Sequence, residues 1–383
     1  MSCKKLTIGL DARSVHRGVR RGTGKNLRDL YRNVLELRPD WNVVGYHRGD
    51  DRLGIESPGY TGRRVEMRGD RFGAWQKLRL PLAAWRDGVD LLHCPANDCA
   101  SWQPTATMVT IHDLLPYTDG PRDMSMRFAR TARLAARRGL TVVTPSEYTS
   151  QGLQDVFGLD KDQIVVNPWA ADSSMHRVDD SNLIKRVAAG YHIDKPYVLH
   201  FGAPDRRKNT RELIEAWAMV SDGLRSDVQL LVVGLDDREH RKSIRELAER
   251  LGVGKSVSLS GFAEEGDIPA LLSGAEFLAY PSRCEGFGLP ILDAWVAGTA
   301  VLSADNSAIP EVAGDGALLV DAESVESISD GLGRLLDQPS LRAALTQRGA
   351  ERLKGYGWNA TAERFIFAVE KALGGMEAQS DAA

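Results

Sequence analysis

Cysteine is scarce in this chain: four residues in 383, namely Cys3, Cys94, Cys99 and Cys284, with no CxxC pair and no zinc-finger spacing. That argues against a disulfide-stapled scaffold or a structural zinc site, and leaves a reducing cytoplasm as the expected compartment. Long apolar runs are missing too. No stretch approaches the roughly 18 residues that a membrane span requires. The opening MSCKKLTIGLDARS lacks the apolar centre of a signal peptide. Strong net charge is also absent: 49 Lys and Arg against 52 Asp and Glu give −3, far too mild for wholesale nucleic-acid binding. There is no short-period repeat and no low-complexity segment.

What is there reads as a soluble globular protein, 43% apolar and 26% charged. Its 383 residues exceed one compact core and suggest two domains. Charge divides unevenly, with 27 basic against 22 acidic residues in 1–180 and 22 against 30 in the rest, so the halves suit different surroundings. In the first half LTIGLDA, WNVVGYH, DLLHCP, TMVTIHD and LTVVTPS read as strands, and GTGKNLRDLYRNVLEL as a helix with Leu27, Leu30, Tyr31 and Val34 on one face. In the second, PYVLHFGA, VQLLVVG, KSVSLSG, FLAYPS, TAVLSAD and GALLVD alternate with helical segments. Strands alternating with helices predict parallel sheets covered on both faces. The polar stretch DSSMHRVDDSN suits a connection, so we expect domains at 1–187 and 188–357, a helix at 358–375 returning to the first domain, and a disordered tail at 376–383. Two doubly wound domains would leave a ligand cleft at the carboxyl ends of their strands.

Four turns that would face such a cleft carry candidate chemistry. RRGTGKN (20–26) follows the first strand; Gly22 and Gly24 permit close backbone approach, and the helix start offers N–H groups to an anion. Only a GxG is present, short of the dinucleotide fingerprint, so a plain surface turn is an equal reading. VTIHDLLPY puts His112 and Asp113 at a strand end, where they serve either a site or a structural hydrogen bond. HFGAPDRRKNTREL crowds Arg206, Arg207 and Lys208 before a helix that Asn209 or Thr210 would cap. A planar fork beside a point charge suits a diphosphate, and three cations confined to one turn favour that over a solvated face.

The fourth turn is PSRCEGFGLPILDAWVAG (281–298). Pro290 suits the start of a helix, and Gly286, Phe287, Gly288 and Leu289 would present backbone N–H groups to anionic oxygens. Glu285 just before the helix and Asp293 one turn inside it would repel phosphate. Sugar hydroxyls, or positive charge developing at an anomeric carbon, would suit them better. The plainer alternative is that Asp293 favours the helix dipole and Glu285 is solvated.

Taken in order, these segments resemble the GT-B glycosyltransferases, specifically the retaining family 4 of mannosyltransferase-like "glycosyl transferases group 1". IGLDARS…RGTGKN, HCPAND, VTIHDLLP, TPSEYTSQGL and YVLHFGAPDRRKNTRELIEAW each resemble a family signature. The most specific is PSRCEGFGLPILDAWVAGTAVLSADNSAIPEVAGDGALLVD, similar to the donor-site block almost position by position. The resemblance implies two Rossmann-like α/β domains facing across a cleft. It implies that Glu285 contacts the donor sugar and supports charge at its anomeric carbon, and that Lys208, with Arg207 beside it, neutralises the departing diphosphate. Backbone groups of Gly286 to Leu289 would hold phosphates or sugar, with His112 near the sugar, Gly24 near the phosphates, and Phe262 where the base is read. Asp293 would bind the ribose diol.

Three positions depart from the family pattern. Asp293 stands where Glu is usual, Ala203 where many relatives carry Arg, and Thr299 where Pro is usual. Arg206 or Arg207 would compensate for Ala203, and Thr299 is a matter of packing. The implied reaction moves a hexose, best read as mannose from GDP-mannose, to a hydroxyl of a glycan or lipid-linked acceptor, with retention and with no catalytic metal or other cofactor. UDP- and dTDP-sugars, or a non-catalytic nucleotide-sugar-binding subunit, are the alternatives. No nucleic-acid partner is expected. MSMRFARTARLAARRGLT (124–141) sets Arg127, Arg130, Arg133, Arg137 and Arg138 at helical spacing among Phe128, Ala132 and Leu134. This segment reads either as a contact with the inner face of an anionic membrane or as a solvated helix.

Overall fold

The computed structural model describes residues 5–15, 22–49, 53–67 and 73–380. The chain divides into two compact units, Met1–Asp172 with Tyr356–Ala383, and Ser173–Gly355. The first is built on seven parallel strands: β1 Thr7–Asp11, β2 Asn42–His47, β3 Tyr60–Arg64, β4 Leu91–Cys94, β5 Ala106–Thr110, β6 Val142–Thr144 and β7 Ile164–Val166. Their order is β3-β2-β1-β4-β5-β6-β7. The second has six parallel strands: β8 Tyr197–Phe201, β9 Gln229–Val233, β10 Val257–Leu259, β11 Phe277–Tyr280, β12 Val301–Ala304 and β13 Leu318–Val320. Their order is β10-β9-β8-β11-β12-β13.

The central strands are apolar runs because helices bury both of their faces. Leu230, Leu231 and Val232 of β9 are all fully buried. In the second unit the strands pack on Leu213, Ile214 and Trp217 of the helix Thr210–Met219, and Trp217 donates its indole N–H to the Ser256 hydroxyl at 3.0 Å. In the first unit Trp75, Phe128, Ile111 and Leu153 fill the equivalent space.

Each sheet reverses its order at one place, between β1 and β4 in the first unit and between β8 and β11 in the second. The loops diverge there at the carboxyl ends of the strands, which opens a crevice in a doubly wound sheet. The turn after β8 and the loop after β11 therefore lie side by side, and Arg283 N–H donates to the Arg207 carbonyl at 2.8 Å.

Three expectations need adjustment. The first break falls after Asp172 rather than after residue 187, because the helix Ser181–Gly190 packs on the second unit, where Ile184 lies against Gly274. The second break falls at Gly355/Tyr356 rather than after residue 357. The final helix, Trp358–Ser380, runs through most of the segment expected as a disordered tail, and residues 381–383 lie outside the described residues. This helix belongs to the first unit, where Thr361 donates to the Pro168 carbonyl at 2.9 Å and Phe365 packs edge-on against Tyr31. Strands β3 and β7 were not apparent from the sequence. β3 is exposed along four of its five residues, so it carries no apolar run.

Candidate functional site

The switch point of the second unit gathers four charged or polar side chains. A short 3-10 turn, Arg206–Lys208, follows β8 and is capped by Asp205, which accepts from Arg207 N–H at 3.0 Å and Arg207 Nε at 2.6 Å. Across from it Glu285 is 7% exposed. Its Oε1 accepts from Lys208 Nζ at 2.5 Å and the Tyr280 hydroxyl at 2.6 Å, and its Oε2 from Arg207 at 3.0 Å. Lys208 Nζ also donates to the Tyr280 hydroxyl at 2.8 Å. Burial opposes ionisation of Glu285, but Lys208 and then Arg207 outweigh it and hold its pKa below the ordinary carboxylate value. Burial likewise works against the Lys208 ammonium, and the oxygens of Tyr280 and Glu285 outweigh it, so its pKa is raised. All three charged groups stay ionised near neutrality.

Asn209 fixes the geometry of this cluster. It takes the left-handed conformation at φ +60°, which Asn tolerates better than most residues. Fully buried, it donates Nδ2 to the carbonyls of Pro281 at 3.0 Å and Ala322 at 2.7 Å, while its Oδ1 accepts from Arg283 Nε at 2.8 Å. The side chain thus ties three loops together. It occupies the N-cap position as expected but makes no side-chain cap bond. Behind it His200, buried and neutral, bridges the Ala279 carbonyl and the Thr210 hydroxyl at 2.9 and 3.0 Å.

Gly286 to Leu289 lead into the helix Leu289–Val296, whose cap Gly288 has φ +107° and no side-chain cap bond. A Cβ at Gly288 would meet the Ile309 side chain at 2.9 Å, so glycine is required there on both counts. Phe287 is buried, and Asp293 is half-buried inside that helix. Phe262 is 45% exposed in the loop after β10. Arg206 is exposed and is not among the cations on Glu285. Thr299, in place of the usual proline, is buried and donates to the Leu272 carbonyl at 2.6 Å.

The first unit builds its strand ends differently. His112, half-buried after β5, donates Nε2–H to the Pro95 carbonyl at 2.7 Å, which leaves Nδ1 as its lone-pair nitrogen. Burial lowers its pKa, against the Pro95 carbonyl and the charge of Asp113, so the ring is neutral. The ring stacks on Trp169 at 5.9 Å and 23°. Trp358 packs on Trp169 at 6.4 Å and donates to the Ala171 carbonyl at 2.9 Å. Gly24 is buried and lies within the first turn of the helix Gly22–Leu37 rather than ahead of it; residues 20 and 21 of that motif lie outside the described residues. Its neighbour Lys25 pairs with Asp172 at 2.7 Å.

The switch point of the second sheet thus holds two half-buried cations on a buried carboxylate. Residues 185–352 match the model of the family "Glycosyl transferases group 1". In fold, the chain is similar to a sucrose-phosphate synthase from Thermosynechococcus elongatus, with TM-score 0.76 and 19% identity over 97% of this chain and 100% of that one. The fold is GT-B. The chain is also 26% identical to the O-antigen chain mannosyltransferase B of Escherichia coli over 290 residues, 74% of this chain and 76% of that relative. To the MMP alpha-(1->4)-mannosyltransferase of Mycolicibacterium hassiacum it is 28% identical over 250 residues, 64% of this chain and 57% of that relative.

Of the expected residues, Arg207, Lys208 and Glu285 come together in one cluster. Gly24 and His112 sit in the first unit, and Phe262 and Asp293 elsewhere in the second. Tyr280 and the bridging role of Asn209 were missed. The available signal for Tyr280 was its hydroxyl at the end of a buried strand, where it must find a partner. Among the described residues no group of three or more His, Cys, Asp or Glu is placed to hold a metal ion.

The arginine-rich helix spans Arg122–Arg138. Phe128, Ala132 and most of Leu134 are spent on the core, so its exposed face carries Met124, Met126, Arg127, Arg133, Arg137 and Arg138. No helix among the described residues is long and apolar enough to cross a membrane.

Proposed function

We propose that this protein is a retaining glycosyltransferase of family 4. It moves a hexose, best read as mannose from GDP-mannose, to a hydroxyl of a glycan or lipid-linked acceptor. The observation that carries the reading is the pairing of Lys208 and Arg207 with buried Glu285 beside the start of the helix Leu289–Val296. Two cations and a helix N-terminus stabilise a departing diphosphate, while an ionised carboxylate supports positive charge at the anomeric carbon. These charges serve the leaving group without a resident metal. Asp293 would accept the ribose diol, Phe262 would lie by the base, and His112 Nδ1 would face a sugar hydroxyl. The names of the two mannosyltransferase relatives favour mannose.

A UDP-sugar is the second donor reading, favoured by the fold likeness to Anabaena HepE in complex with UDP and glucose, with TM-score 0.74 and 18% identity. The enzyme would work in the cytoplasm, and any contact with an anionic membrane would be electrostatic, because the arginine-rich helix has its aromatic side buried. A thermal-shift panel of GDP, UDP, dTDP and ADP tests the reading. GDP should stabilise most, and stabilisation by none of the four would overturn nucleotide-sugar transfer.

A further inference from the structure

Tyr280, the last residue of β11, is 1% exposed and stands between the two halves of the charged cluster. Its hydroxyl accepts from Lys208 Nζ at 2.8 Å and donates to Glu285 Oε1 at 2.6 Å. The direction is fixed by chemistry, since an ammonium has no lone pair and an ionised carboxylate no proton. Burial, and then the charge of Glu285, raise the phenol above its ordinary value, so it remains a donor. Its backbone is pinned: the Ser303 hydroxyl donates to the Tyr280 carbonyl at 2.8 Å, and His200 holds the Ala279 carbonyl at 2.9 Å.

The groups facing the Glu285 carboxylate come from two elements. Arg207 and Lys208 approach from the turn after β8, and Tyr280 from the end of β11. The Ser307 hydroxyl accepts only the Glu285 backbone N–H, at 3.0 Å. Asp205 holds Arg207 from its other side, and nearby Arg283 is engaged by Glu212 and Glu323. The carboxylate therefore has two charged donors and one neutral one. If a diphosphate draws both cations toward itself, Glu285 loses its counter-charges together. A buried carboxylate without partners takes up a proton rather than stay charged. The Tyr280 hydroxyl has no anion of its own to follow and stays where it is.

We propose that Tyr280 is a positioning residue of the transfer reaction, keeping Glu285 aimed and ionised while Arg207 and Lys208 are engaged by the leaving diphosphate. This rests on the nucleotide-sugar reading above. Nothing is transferred in the step: the proton stays on the phenol, and no proton enters the carboxylate.

The test is calorimetric titration with GDP, and with UDP as second probe, at about pH 6 in buffers of different ionisation heat, which counts protons taken up on binding. The terminal phosphate of the nucleotide itself titrates near pH 6, so the count is read as a difference: Tyr280→Phe should take up as much as about one proton per nucleotide more than the unaltered enzyme. Combining Tyr280→Phe with Glu285→Gln should abolish that extra uptake and so assign the proton to Glu285. With GDP-mannose, Tyr280→Phe should lower kcat about tenfold while KM stays within about twofold, the size of a lost hydrogen bond to a charged group. Phenylalanine keeps the ring and its packing, so both variants retain the fold. If neither nucleotide binds the unaltered enzyme, the nucleotide-sugar reading falls and takes this role with it. If nucleotide binds but proton uptake is the same with and without the hydroxyl, only the role of Tyr280 is overturned.

Discussion

The two units share a scaffold and differ in what they mount on it. Strand for strand, β3-β2-β1-β4-β5-β6 and β10-β9-β8-β11-β12-β13 have the same order, with β7 added to the first. Each unit also carries a fully buried neutral histidine. His93 bridges the Tyr31 and Thr110 hydroxyls at 2.7 Å each, and His200 bridges β11 to the start of the helix Thr210–Met219. At the carboxyl ends of the strands the likeness stops. The second unit presents Arg207 and Lys208 together on Glu285, whereas the first sets an Arg13–Asp11 pair at the end of β1 and neutral His112, stacked on Trp169, after β5. A shared topology decides where a crevice opens, and the residues of the turns decide whether it handles charge.

If the second unit handles the diphosphate and the first does not, Lys208→Ala should weaken GDP binding about a hundredfold, within the usual cost of breaking a buried charge pair. Guanosine binding should barely change, and His112→Ala should leave GDP within about twofold, since GDP lacks the sugar. Calorimetry giving equal losses for GDP and guanosine, or for the two variants, would erase the distinction.

The shared buried histidines predict a shared acid sensitivity. Burial lowers His93 to about 3, with His112 adding to the effect, and lowers His200 to about 4, both from an ordinary 6.5. Below about pH 6.5 the unfolded histidines bind protons that the folded ones refuse, so their stabilisation is complete above that pH and declines toward about pH 4. Between pH 6.5 and 5 each should cost about 2 kcal/mol. Glu285, held below the ordinary carboxylate value, contributes stability that is lost only at lower pH. Melting curves across this range should fall, and His93→Gln or His200→Gln should each flatten the slope. An unchanged slope in either variant would show that the units do not share this device.

The smallest effect is expected at Asp293→Glu. One more methylene keeps a diol acceptor on the same helix, so GDP affinity should hold or tighten by no more than about threefold. A marked loss by calorimetry would show that the helix Leu289–Val296 is set for the shorter acid.

Central strands such as β9 and β11 were legible because burial on both faces writes an apolar run into the sequence. β3 was not, because exposed Thr61, Arg63 and Arg64 leave no such run. Arg207 and Lys208 were legible as a cationic turn, but not which of the cations would meet a carboxylate. Successive residues of a 3-10 turn point about 120° apart, so Arg206 faces out while Lys208 faces in. The role of Asn209 was hidden because it depends on carbonyls of Pro281 and Ala322, far along the chain. Phe128 and Ala132 could be placed between arginines by spacing alone, whereas their burial needed a neighbouring core to be known.

Periodicity, turn chemistry and charge are local, and local order was enough for two parallel α/β sheets, the cationic turn and the acidic loop that ends in Glu285. The contact between Lys208 and Glu285 is not local. It joins residues 77 positions apart, and Tyr280 enters it only because β8 and β11 are neighbours at the switch point. Hydrogen bonds act over about 3 Å and in fixed directions, so no pattern along the chain can specify them before the strands are side by side.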